Sequence, residues 1–163
     1  MTAKANETPH LRKMRQRMEE GRSAWHSGCI ACGSGTPLGL RLDFSPSEGG
    51  GVEAAFSCAP AFSGYDGRLH GGIVATLMDA AMTHCLFAQG VAGVTGELKV
   101  RFRGPVDVAS PAQVRAYLAR SGHGLHILRS EIVQAGAVKA AAEGKFVAKD
   151  KPKPPTGAPG GKP

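Results

Sequence analysis

The chain has 163 residues, 42% of them hydrophobic and only 6% aromatic, with 23 glycines. That length suits one domain with a sizeable core of small residues and leaves little room for two. The formal net charge is +7, yet there is no basic stripe with a reading module or stacking aromatics, which argues against nucleic acid as the partner.

Residues 1–21 and 150–163 each contribute +2 of that charge, leaving +3 for the body. A modest positive charge suits a polyanionic small molecule. The opening MTAKANETPHLRKMRQ has no apolar core for a signal peptide. No stretch approaches the roughly 18 uninterrupted apolar residues of a membrane span. A cytoplasmic protein is expected, with Cys29, Cys32, Cys58 and Cys85 reduced.

Thr8-Pro9, then Leu11, Met14 and Met18 on one face, then Gly21, reads as a short capped helix. This defines an N-terminal amphipathic segment over residues 1–21, expected to pack on the rest of the chain. LGLRLDF (38–44) alternates and reads as a strand, SPSEGGG as a turn, and VEAAFS (52–57) as a second strand. Residues 69–87 form the only long helical stretch. Four strand-like runs follow, at 94–102, 112–120, 125–133 and 137–148, with short Gly-containing connections that make them antiparallel. The last run is Ala-rich, but its length and preceding turn match the other strands. KPKPPTGAPGGKP has no apolar periodicity and reads as part of a disordered tail over 150–163. The body, 22–149, is therefore an α+β domain whose antiparallel sheet curls around one long helix. Ile73, Val74, Leu77, Met78, Ala81, Met82 and Leu86 make that helix apolar on most sides, as a wrapped helix must be.

Asp79 interrupts this run. With Thr76 and Thr83, at helical spacing, it forms a narrow polar stripe. A buried carboxylate needs a partner, which those hydroxyls or a neighbouring strand could supply. At the helix start, His70-Gly71-Gly72 leaves N–H groups unobstructed where the helix dipole is positive, a place able to hold a developing negative oxygen. Eight residues separate Gly71 from Asp79, about 12 Å along a helix at 1.5 Å per residue. One carbonyl cannot touch both in one chain. If they cooperate, they do so across a dimer with two composite sites, the commonest oligomer geometry.

FSGYDGRLHGGIVATLMDAAM followed by GVTGELKVRFRGPV resembles the hotdog-fold acyl-CoA thioesterases of the phenylacetate-degradation type, over roughly residues 28–148. The upstream CIACGSGTPLGLRLDF resembles the Cys-x-x-Cys-Gly…Gly-Leu entry of one branch of that family. The resemblance implies an acyl-CoA thioesterase in which Asp79 acts as general base or nucleophile and the Gly71 N–H, with Gly72, polarises the thioester oxygen. His70 matches the motif histidine and shapes the turn. Thr95 matches a hydroxyl that helps hold the attacking water. No cofactor is implied, and the assembly is a homodimer or a dimer of dimers (a homotetramer). Where several members carry Asn or Gln, six residues before the motif histidine, this chain has Gly64. That departure keeps a non-catalytic acyl-CoA sensor as second reading, with a hotdog dehydratase third.

Lys99, Arg101 and Arg103 alternate along one strand with Thr95 and Glu97, and either form a solvated face or hold the phosphates of coenzyme A. Arg68 is another phosphate candidate. Cys29-Ile-Ala-Cys32 has zinc-ligand spacing, but no second pair exists. His26 and Cys58 could complete a site, although a tight loop without metal is the expectation.

Overall fold

The computed structural model describes residues 7–37 and 39–149. Leu38, part of the strand expected at 38–44, and the tail at 150–163 lie outside the described residues, as do residues 1–6. The elements run α1 (Pro9–Trp25), β1 (Ser45–Pro46), β2 (Val52–Phe56), a single 3-10 turn (Pro60–Phe62), β3 (Ser63–Tyr65), β4 (Arg68–Leu69), α2 (Gly71–Ala88), β5 (Gly93–Phe102), β6 (Ala112–Gly122), β7 (Leu125–Gln134) and β8 (Ala137–Ala148). Six strands make one sheet in the order β1-β2-β6-β7-β8-β5, with β3 and β4 a separate small hairpin. Every pairing is antiparallel.

The turns explain the sheet. His123-Gly124 and Ala135-Gly136 all have positive φ, between 50° and 77°, at the β6–β7 and β7–β8 connections. Two-residue loops of that handedness match the twist of the strands they join. The Ala-rich run is strand β8, as read from the sequence. Its Ala140 and Ala142 are buried, because a sheet that closes over a helix needs small residues where the two approach, and Phe146 fills the core beside them.

That helix is α2. Leu77, Met78, Ala81, Met82, Cys85 and Leu86 are wholly buried, and Val74 and Phe87 nearly so. By length and composition α2 could cross a membrane, but here the sheet and α1 cover it.

Two expectations need correction. α1 does not stop at Gly21 but continues to Trp25. Thr8 caps it, accepting from the Leu11 N–H at 3.3 Å, and Met14 and Met18 pack into the core. Gly21 sits inside the helix because a Cβ there would come within 2.5 Å of the Phe87 ring. It is a contact point between α1 and α2, not a terminator. Gly21→Val should therefore lower stability by about 1–3 kcal/mol, the usual cost of overpacking, read as a lower denaturation midpoint at unchanged m-value.

Residues 39–44 are not a sheet strand. Leu42 and Phe44 are buried while Arg41 and Asp43 are exposed, so the alternation is real. The segment nevertheless pairs with the loop before it: the Leu40 N–H donates to Ile30 O at 2.8 Å and Leu42 N–H to Ala31 O at 2.9 Å. Arg41, at φ 52°, breaks the extended run.

Candidate active site

The start of α2 is built by a histidine cap. His70 is the N-cap in extended conformation, and its Nδ1 accepts from the Gly72 N–H at 2.9 Å. In the neutral ring the proton then sits on Nε2. The His70 N–H donates to Phe62 O at 2.9 Å, tying the cap to the segment before β3. The Gly72 N–H is consumed by this cap, so Gly72 is not positioned to donate to a ligand as well. The Gly71 N–H has no partner among the described residues, and Gly71 is exposed. The Phe102 ring lies 3.5 Å from where a Gly71 Cβ would be.

Asp79 lies on the third turn of α2, half-buried. The flanking threonines do not serve its carboxylate. The Thr76 hydroxyl donates to Gly72 O at 2.9 Å and the Thr83 hydroxyl to Asp79 O at 3.0 Å, both one turn back along the backbone. The carboxylate partner is Thr95 on β5, whose Oγ1 donates to Asp79 Oδ1 at 2.7 Å.

A β-bulge makes that bond possible. Thr95 pairs with Phe146 and Glu97 with Lys145, so two steps on β5 answer one on β8. Thr95 shares the inner face with buried Phe146, while Glu97 turns outward to Lys145. The simple alternation that put Thr95 on one face with Glu97, Lys99, Arg101 and Arg103 is therefore wrong: the extra residue, Gly96, reverses the sides.

The outward residues form their own feature. Lys99, Arg101 and Arg103 line an open groove of about 470 Å³ with Tyr117, Arg129 and Glu143. Arg129 is paired with Glu143, whereas Lys99, Arg101 and Arg103 have no ion-pair partner among the described residues. Arg68 is paired with Asp107 and stands apart from this groove. At Gly64, a Cβ would meet His70 Cα and Cδ2 at 3.2 Å, so the glycine lets β3 lie close against the capping histidine. Tyr65 and Asp66 beside it are exposed.

Sequence reasoning passed over the contribution of the α1 end. Trp25, His26 and Phe87 line a cavity of about 210 Å³ with Ala92, Gly93, Val94 and Lys149, where β5 begins. Burial lowers the pKa of His26, and the Asp79 charge opposes that shift. The only sequence signal for this wall was His26 standing three residues before Cys29. Deeper in, His84 is 2% exposed and stacks on Phe44 with ring centroids 4.4 Å apart. Burial, then the nearby His26 and Arg22, lower its pKa to about 3, so it is neutral. Burial pushes the Cys85 thiol up to about 12, which leaves it an inert core residue.

Residues 66–141 match the family model of the thioesterase superfamily, a stretch that contains His70, Gly71, Asp79 and Thr95. Over that stretch the chain is similar to the thioesterase superfamily. No curated protein matches the chain. Among solved structures, a thioesterase superfamily protein (RHA08564) superposes with a TM-score of 0.72 at 22% identity, covering 90% of this chain and 70% of that one. The PaaI protein of the E. coli phenylacetic acid degradation operon superposes with a TM-score of 0.73 at 19% identity, covering 86% and 96%. A Streptococcus mutans protein solved with acetyl-CoA gives 0.63 at 18% identity, covering 69% and 91%. At these identities the likeness establishes the fold. It is the hotdog fold that the resemblance of the HGG…Asp…GVT pattern implied.

Proposed function

We propose that the chain hydrolyses an acyl-CoA thioester to the free acid and CoA. The observation that carries this is the Asp79–Thr95 bond at 2.7 Å, which ties the one carboxylate of an otherwise apolar core helix to a hydroxyl on β5. Asp79 acts as general base on water or as the nucleophile. The Thr95 hydroxyl holds the carboxylate and orients the water. The Gly71 N–H at the positive end of α2 stabilises the oxygen that becomes negative. Water's hydroxyl joins the acyl carbon, the C–S bond breaks, and the thiolate leaves with a proton. The superfamily match, and a structural neighbour solved with acetyl-CoA, support the substrate class. A cytoplasmic location is part of this reading.

Two chains build each site. β5 is a ten-residue edge strand with Val94 47% and Phe102 57% exposed, and such an edge invites a partner strand. A two-fold axis near the middle of β5 sets its Thr95 end against the Phe102 end of the second copy. That brings Asp79 of one chain towards Gly71 of the other, which the separation of about 12 Å along α2 requires. The assembly is a homodimer, or a dimer of two such dimers.

Arg101 and Arg103 hold the CoA phosphates in the outer groove. Arg103→Ala should raise KM for acyl-CoA about tenfold, the loss of one charge-assisted contact, and leave KM for the matching pantetheine thioester unchanged. An equal change for both substrates would remove Arg103 from the phosphate site.

The test of the reading is free-thiol release from a panel of acyl-CoAs. Release establishes hydrolysis. One observation favours a second reading: Gly64 offers no side-chain amide beside His70. If acyl-CoA raises the melting temperature and no thiol appears, the chain is an acyl-CoA sensor instead.

A further inference from the structure

The loop between α1 and β1 is folded around three soft donors. His26 sits at the C-cap of α1, its N–H donating to Arg22 O at 2.9 Å. The Cys29 N–H then donates to His26 O at 3.1 Å and the Gly33 N–H to Cys29 O at 2.8 Å. These two bonds curl the chain so that the ligand atoms of His26, Cys29 and Cys32 all lie within 4.8 Å of one another. Gly33 allows the curl, since a Cβ there would stand 2.6 Å from the Cys29 backbone.

We propose that His26, Cys29 and Cys32 bind one zinc ion. The spacing carries the proposal. Cys32 Sγ lies 3.6 Å from His26 Nδ1. A tetrahedral ion with Zn–S near 2.3 Å and Zn–N near 2.05 Å has a ligand–ligand edge of about 3.6 Å. Hydrogen bonding adds a second support: the Ala31 N–H donates to Cys29 Sγ at 3.4 Å, which favours a sulfur carrying negative charge. Charge balance is a third. Two thiolates and a neutral imidazole around a dication sum to zero, so no net charge is buried. Soft sulfur donors select zinc over magnesium or calcium.

Cys58, offered by the sequence as a further ligand, is not in the cluster. The fourth position falls to water or to His84, whose ring centroid is 6.4 Å from that of His26 and whose two nitrogens have no partner among the described residues.

The ion pins the loop. Ile30 and Ala31, between the two cysteines, are the residues that pair with Leu40 and Leu42. Zinc therefore locks the segment that delivers Leu42 and Phe44 to the core, and holds His26 in the wall of the cavity where β5 starts. Its role is structural, and it stands whether or not the domain hydrolyses thioesters.

The test uses the full chain, isolated without reductant for disulfide analysis and then kept reduced with a phosphine for metal binding. Metal analysis should find one zinc per chain, and Co²⁺ added after chelation should give thiolate-to-cobalt charge-transfer absorption. Cys32→Ser and His26→Ala should each lose the ion, Cys58→Ser should keep it, and chelation should lower the melting temperature. Should the ligand variants fail to fold, the cobalt spectrum of the wild-type chain decides alone. A folded, reduced wild-type chain that takes up neither zinc nor cobalt overturns the proposal. So does cobalt binding that survives in a Cys29→Ser, Cys32→Ser double variant, or a Cys29–Cys32 disulfide in protein isolated without oxidant.

Discussion

Asp79→Asn should lower kcat for an acyl-CoA substrate by about 10²–10⁴-fold, the range for loss of a positioned base, with KM little changed. The amide has nearly the same shape, and its oxygen still accepts from the Thr95 hydroxyl that now bonds Asp79 at 2.7 Å. It cannot take a proton from water or attack a carbonyl as an anion. Folding should survive, because the substitution removes a half-buried charge from a core helix instead of adding one. Thiol-release kinetics beside thermal denaturation check both halves. Full turnover in a folded variant would remove Asp79 from the chemistry and leave its bond to Thr95 as helix-to-sheet glue.

Gly71→Pro should be nearly as damaging, about 10²–10³-fold in kcat, the usual cost of one oxyanion donor. The site suits this substitution unusually well. Gly71 is the first residue of α2, where proline is tolerated because that N–H has no partner within the helix. The preceding residue must be extended before a proline, and His70 already is, at φ −60° and ψ 135°. The change thus deletes one N–H and little else. Gly71→Ala is the control: it keeps the N–H, and its Cβ would meet the Phe102 ring at an ordinary 3.5 Å. The alanine variant should stay active. If both variants lose activity alike, bulk at this position is the cause and the N–H has no special role.

The fold was legible where local chemistry and burial agree. The apolar run around Asp79 has to be a wrapped helix, and the positive-φ pairs His123-Gly124 and Ala135-Gly136 mark hairpins that fix β6, β7 and β8 as antiparallel. The alternation at 39–44 is real, with Leu42 and Phe44 buried. It was misread as a ladder, because a period of two says which side faces the core and nothing about what the backbone pairs with. Gly21 misled for a related reason. A helix-ending glycine and one that admits a neighbouring ring look identical until Phe87 is in place.

The same limit governs the candidate site. His70, Gly71 and Asp79 stand at spacings a helix fixes, so their arrangement could be inferred before any coordinates. Thr95 could be named but not oriented, since its direction depends on a one-residue bulge opposite Phe146 and Lys145. Gly72 was assigned a donor role that the His70 ring already occupies. The His26–Cys29–Cys32 cluster needs the C-terminus of α1 to run past Gly21, which the sequence did not reveal.

The central claim is a thioester-cleaving site made from Asp79 of one chain and Gly71 of another. It is tested most directly by mixing two dead variants. Asp79→Asn and Gly71→Pro chains, unfolded together in equal amounts and refolded, should regain about a quarter of wild-type thiol release, because half of the dimers are mixed and each mixed dimer holds one intact site. Recovery no greater than that of either variant alone, in mixed dimers shown to have formed, would contradict the shared site.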